Sequence, residues 1–178
     1  LHKALAAYYT STWPNPLSDP AIIAPAQEAA WTVWAEAQKI LDEEQRELGT
    51  GMLDGYFRYA EVFDTAGEYT VATLDKKPAI ELTLFAPIPG TDVWLQGTCD
   101  LLLVNRRGVW INDFKSYQRF KTIEELEFDD QMLAYMWLCR QNNIPVRGAY
   151  MRQLRKKVPT EPKLLKNGEL SKNRNIDT

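Results

Sequence analysis

The chain is poor in the residues that most often announce a function. It has one histidine, two cysteines and nine glycines in 178 residues. Two cysteines, Cys99 and Cys139, cannot form a disulfide framework. Their apolar surroundings predict buried, reduced thiols, as expected in a cytoplasmic compartment. No glycine-rich phosphate loop is present, which argues against a nucleotide-binding α/β protein. No apolar run approaches the ~20 residues needed to span a membrane, so no membrane partner is expected. There is no internal repeat and no low-complexity tract. The chain begins at Leu1 and ends at Thr178, and it is expected to be a fragment trimmed at both ends, so the lack of a targeting segment carries little weight.

What remains is the composition of an ordinary folded domain: 45% hydrophobic, 25% charged, and long enough for a real core. The net charge of −3 is uneven. Residues 151–178 carry eight Lys/Arg against three Asp/Glu, whereas the whole chain has 21 against 24. A basic end on an acidic body fits either a polyanion contact or a solvated tail.

Periodicity places helices first and strands later. Residues 1–9 have helical composition, and residues 13–25, with four prolines, read as a connection in which Asp19-Pro20 caps and starts a helix. Residues 26–48 give the longest helical pattern, stopped by Gly49. A second helix over 50–63 is expected to start on Thr50. Strand-like runs follow at 69–74, 79–86, 94–104 and 109–116. Thr122 and Glu125 form a capping box that predicts a helix over 123–141, with Gln131 and Tyr135 one turn apart on one face. A last strand is expected over 146–154. The six tryptophans are read as mostly core or helix packing, with none needed as a base-stacking platform.

The run 94–118 carries the chemistry. Its turn, Asn105-Arg106-Arg107-Gly108, pairs Val104 with Val109 if the loop closes symmetrically, which sets Asp100 directly opposite Asp113 with Cβ atoms ~5 Å apart. Lys115 shares the Asp113 face. Two opposed carboxylates repel, and a divalent cation with oxygen ligands would relieve them; solvated charges on an exposed sheet face are the alternative. Pairing Ala86 with Val93 places Glu81 across from Thr98, either lining the same site or facing solvent. Arg106 and Arg107 read as an exposed turn or a phosphate grip.

Three motifs now stand in order: Gly97 with Asp100 on a strand, Asp113 with Lys115 on the next, and Gln131 with Tyr135 on a helix. With His2 on an upstream helix, this resembles the RecB-like branch of the PD-(D/E)XK nuclease superfamily, in particular phage-type exonucleases; the tail at 152–172 also looks like that of phage-encoded members. The resemblance implies an α/β (α+β) fold: a restriction-endonuclease-like core, in which a central mixed sheet with an antiparallel active-site hairpin is flanked by helices. It implies a single nuclease domain over 1–178, with a helical segment at 12–63 and a basic segment at 151–178. It implies Mg²⁺ or Mn²⁺ held by His2, Asp100, Asp113 and the Phe114 carbonyl, with Lys115 orienting or activating the attacking water, and Gln131 and Tyr135 positioning the DNA strand or the lysine. Arg119, Arg152, Arg155, Lys156 and Lys157 would contact DNA phosphates. Some RecB-like relatives hold a four-cysteine iron–sulfur cluster; two cysteines cannot supply one, and none is expected here. The implied activity is a metal-dependent DNA exonuclease of recombination, repair or phage DNA processing, with DNA as partner and a helicase or recombination protein as a further candidate partner, in the cytoplasm, that of the host if phage-encoded. The alternative is a non-catalytic nuclease-like module that binds DNA or a helicase.

Overall fold

The computed structural model describes residues 1–127, 129–157 and 165–169. Three helices come first: α1 (His2–Thr12), α2 (Pro20–Ala37) and α3 (Glu43–Ala66). Three two-residue strands follow, β1 (Thr70–Val71), β2 (Thr73–Leu74) and β3 (Lys77–Pro78), then β4 (Ile80–Pro87), β5 (Trp94–Asn105) and β6 (Gly108–Tyr117). Helices α4 (Ile123–Glu127) and α5 (Asp130–Gln141) lead into β7 (Val146–Arg155). The central sheet is mixed: β5 and β6 are antiparallel, β6 and β7 parallel. Strands β4 and β1 share the other edge of β5 end to end, while β2 and β3 form a separate ribbon. Among the described residues no helix is long and apolar enough to cross a membrane.

The sheet is buried on both faces where β5 carries three leucines in a row. Leu101 and Leu103 enter a core shared with α1, α2 and α3, while Leu102 and Ile111 enter a second core under α5. Strand alternation requires this split, and burial on both faces explains the unbroken apolar run.

Local chemistry sets the helix starts. Asp19 accepts a hydrogen bond from the Ala21 amide at 2.9 Å, with Pro20 in the first helical position, as expected. The break between the long helices falls elsewhere than expected. It lies at Leu41–Asp42, where Asp42 and Gln45 form a capping box, and α3 runs through Gly49 without interruption. Gly49 serves close packing rather than termination: a Cβ there would lie 2.3 Å from the Trp34 ring, whose indole N–H donates to the Thr50 hydroxyl at 2.9 Å. The Thr122–Glu125 box is present as read, but the helix it starts is short. A new helix begins at Asp130, capped by Asp129 on the Met132 amide. The run at 69–74 divides between two sheets instead of forming one strand.

Arg152 corrects a larger expectation. Expected as a DNA contact, it is only 3% exposed. Its guanidinium pairs with Asp64 at 2.6 Å, donates to the hydroxyls of Tyr9 and Tyr56 at 2.6 and 2.7 Å, and donates to the Asn112 side-chain oxygen at 2.9 Å. The Tyr9 hydroxyl in turn donates to Asp64 at 2.7 Å. Burial pushes both phenols up from their ordinary pKa, so they remain neutral hydrogen-bonding groups. A buried charge is tolerated only when paired and hydrogen-bonded, and a carboxylate, two phenols and an amide oxygen meet this guanidinium. Removing one partner by Arg152→Met or Asp64→Asn should therefore lower unfolding free energy by about 3–5 kcal/mol, measured by urea denaturation, whereas Arg106→Ala in the exposed turn should change it by less than about 0.5 kcal/mol.

Candidate active site

The sheet forks at the two aspartates. The hairpin register is the one read from the turn: Val104 pairs with Val109 and Leu101 with Asn112. One step further Asp100 comes opposite Asp113, but the backbone ladder ends there. The Phe114 amide donates instead to the Asp100 carboxylate at 2.8 Å. Beyond this point β5 pairs with β4, and β6 continues beside β7 from Asp113–Met151 to Tyr117–Arg155. The two strands diverge with one acid on each branch.

Asp113 is completely buried. Lys115 lies 3.0 Å from its Oδ2, but the ammonium donates its hydrogen bond to Oδ1 at 3.3 Å. Oδ2 is left without a hydrogen-bond partner. Burial raises the Asp113 pKa, and the charge of Asp100 adds to it, against the lowering effect of Lys115. Burial works to lower the Lys115 pKa, but the hydrogen bond to Asp113 and the charges of both aspartates outweigh it, so the net shift is upward.

His2 stands in the first turn of α1 and donates through Nε2 to the Phe114 carbonyl at 2.9 Å. Phe114 thus binds Asp100 through its N–H and His2 through its C=O. Its buried ring packs between Tyr9 and Tyr56, centroids 6.1 and 5.6 Å away, and 6.0 Å from the Arg152 guanidinium. The Arg152 network is therefore the support on which two site residues are hung, and Tyr9, Tyr56, Asp64 and Asn112 were not legible as site residues. Nothing in a local window marks them.

Glu81 joins its two readings: its side chain is exposed, and it lies across from Asp100. The β4–β5 register is offset by two from the expected one: Thr83, not Glu81, pairs with Thr98. Glu81 falls between the pairs Ile80–Leu101 and Leu82–Cys99, across from Asp100, with a left-handed backbone (φ 48°). Partial burial and the Asp100 charge raise its pKa. The six-residue connection before β5 hid this register, because loops of that length do not fix pairing as short turns do.

On α5, Gln131 donates to the Tyr135 hydroxyl at 2.6 Å. Burial raises the Tyr135 pKa, and Asp113 and Lys115 lie close enough to act on it. Gly97 lets this helix approach: a Cβ there would meet Leu138 at 2.7 Å and the Tyr135 ring at 2.9 Å. The two cysteines are free and buried on the same side, as read.

The basic residues separate. Arg119 is exposed and pairs with Glu125 at 2.8 Å. Arg155, Lys156 and Lys157 lie at the end of β7 beside Tyr117, the sheet end that also carries Lys115. Arg106 and Arg107 belong to the hairpin turn at the opposite end of β6, where Arg106 faces Glu68 at 3.6 Å. Lys163, Lys172 and Arg174 lie outside the described residues.

The donor set fits a hard divalent ion in kind. Asp113 Oδ2 is a buried acceptor that faces the Lys115 ammonium without a hydrogen bond, and carboxylate, carbonyl and imidazole are suitable ligands. As the side chains stand, no group of three or more His, Cys, Asp and Glu converges tightly enough for an ion among the described residues; His2 and Asp100 are each engaged with Phe114.

Gly97→Ala should cost about 1–3 kcal/mol through overpacking and displace Tyr135. The check is a thermal melt together with near-ultraviolet circular dichroism; an unchanged melt and spectrum would show that α5 does not rest on this glycine.

A family model described as the PD-(D/E)XK nuclease superfamily matches residues 1–175. No curated protein and no solved structure matches the chain. The matched span contains the forked mixed sheet, the helices on both its faces, both aspartates, Lys115 and the Gln131–Tyr135 pair, and with nearly the whole chain covered, it belongs to the PD-(D/E)XK nuclease superfamily.

Proposed function

We propose that the chain is a metal-dependent deoxyribonuclease, specifically an exonuclease acting in recombination, repair or phage DNA processing. The observation that carries this reading is the buried Asp113 oxygen without a hydrogen-bond partner, beside the Lys115 ammonium and across from Asp100. A buried acceptor of this kind is costly unless a ligand completes it. Asp100, Asp113, His2 and the Phe114 carbonyl would hold Mg²⁺ or Mn²⁺, with Glu81 near enough to Asp100 to add a carboxylate. The ion when bound supplies Lewis-acid activation of the phosphodiester and of a water molecule.

The chain's own residues account for the rest. Lys115, 28% exposed at its side chain, reaches from the buried Asp113 toward solvent, so its ammonium can donate to the attacking water or to a phosphate oxygen as charge grows there. Asp113 orients that ammonium. Gln131 ties down the Tyr135 hydroxyl, which limits the freedom of the α5 side chains facing the site. Arg155, Lys156 and Lys157, at the same end of the sheet as Lys115, supply positive charge for the DNA backbone, with affinity that falls as salt rises; Arg119 would have to leave Glu125 to join them.

Wild-type protein with Mn²⁺ should degrade linear DNA labelled at either end and spare circular DNA, and a chelator should stop the reaction. Lys115→Ala should slow cleavage by about 10²–10³-fold with little loss of DNA binding, and Asp113→Asn should abolish both cleavage and calorimetric Mn²⁺ binding. Undiminished cleavage by both variants would overturn the assignment; cutting of circular DNA would replace the exonuclease by an endonuclease.

A further inference from the structure

The β4–β5 hairpin carries a feature that the nuclease chemistry does not use. Among the described residues Phe85 and Trp94 are the exposed aromatic side chains, 51% and 65% accessible. Trp94 thereby departs from the packing role expected of the tryptophans. The pairing sets Phe85 against Gln96 and Pro87 against Trp94, so the two rings take diagonal positions on one face. Burial alternates cleanly along β4: Leu84 and Ala86 are covered, while Glu81, Thr83, Phe85 and Pro87 are exposed. The exposed face runs from Phe85 and Trp94 through the hydrogen-bonded pair Thr83–Thr98, and the left-handed residue Glu81, across from Asp100, follows it along β4. Trp94 is six residues from Asp100, ~20 Å along the strand. Between Glu81 and Asp100 the only charged residue is Asp92, in the turn.

We propose that this face is a base-stacking track that leads single-stranded DNA to the acids; the proposal rests on the nuclease reading for its substrate and names the strand form that substrate takes. The argument is one of continuity and chemistry. A strand whose phosphate reaches Asp100 and Glu81 from this side must cross the hairpin. Along this hairpin a backbone meets no positive charge, whereas bases stacked on aromatic rings add affinity without needing it. Stacking on sheet-face aromatics is sequence-tolerant because every base has a π-face. Thr83, Thr98 and Gln96 between the rings and the acids offer hydrogen bonds, as a polar strand requires and an aliphatic protein partner does not. A duplex keeps its bases paired and cannot offer them to the rings, so the track selects single strands.

The test uses Phe85→Ala, Trp94→Ala and Trp94→Phe, all at exposed positions, with folding checked by thermal melts. Binding of a labelled oligothymidylate long enough to span the hairpin is measured by anisotropy with chelator present, against blunt duplex of the same length. Cleavage of bis(p-nitrophenyl) phosphate, too short to reach the hairpin, is measured with Mn²⁺. Each alanine should weaken oligothymidylate binding by about 5- to 150-fold, Trp94→Phe should restore most of it, and duplex binding and diester cleavage should stay at the wild-type level. Unchanged oligothymidylate binding, or equal losses for single strand and duplex, overturns the track. So does a wild-type protein that self-associates through this face, with alanine variants that are monomeric yet bind oligothymidylate as before. If no form of the protein cleaves the diester but the binding losses appear, the track stands and the nuclease reading falls.

Discussion

The structure depends on one buried cation. Arg152 ties β7 to α3 through Asp64 and Tyr56, to α1 through Tyr9 and to β6 through Asn112. Four chain segments meet at one guanidinium, which also lies over the Phe63 ring at 4.7 Å. Arginine suits this position because its planar fork holds several donors in fixed directions. The desolvation of such a charge is offset only if all its donors are used, so the network acts as a unit: it holds the helical layer to the sheet in one arrangement. Phe114 rests on that unit, and Phe114 in turn presents one backbone group to Asp100 and the other to His2.

This arrangement accounts for the electrostatic character of the site. Asp100 and Asp113 both act on one lysine, Glu81 lies across from Asp100, and burial of Asp113 makes its ionised form costly. A fold selected for stability alone would avoid an acceptor left open in its interior. Polar groups that are buried and only partly satisfied are high-stakes positions, and Asp113 is one of them. The sheet fork has the same origin. Opposed carboxylates weaken the pairing of β5 with β6, the Asp100 side chain takes over the Phe114 amide, and each strand finds another neighbour in β4 or β7.

The β4–β5 branch of that fork extends as an edge hairpin with α5 on one face. Gly97 permits the close approach of α5, which covers Leu84, Ala86 and Cys99. The opposite face keeps Phe85 and Trp94 in solvent, although aromatic rings of this size bury large apolar area when a partner is available. An uncovered aromatic pair in line with the acids is therefore better understood together with the site than as part of the core.

What the sequence by itself determined was local. The turn of four residues and the two-residue period of the strands were enough to align Asp100 with Asp113 and to place Lys115; the Thr122–Glu125 box and the Asp19-Pro20 start were legible for the same reason, since their partners lie within three residues. The order of the three motifs was sufficient for the superfamily. Tertiary structure decided the rest. Arg152 looked like part of a basic surface, but its partners Asp64 and Tyr9 stand 88 and 143 residues away, and no local pattern reports them. Gly49 looked like a helix stop because glycine's backbone cost is a local property, while its use, room for Trp34, is not. Glu81 moved to the acids, and Trp94 to solvent, because a longer loop sets the β4–β5 register and α5 covers only one face of the hairpin. Hydrogen bonds between near neighbours are written into short windows; burial of a charge, and the side of a sheet left open, are properties of what the distant chain packs against.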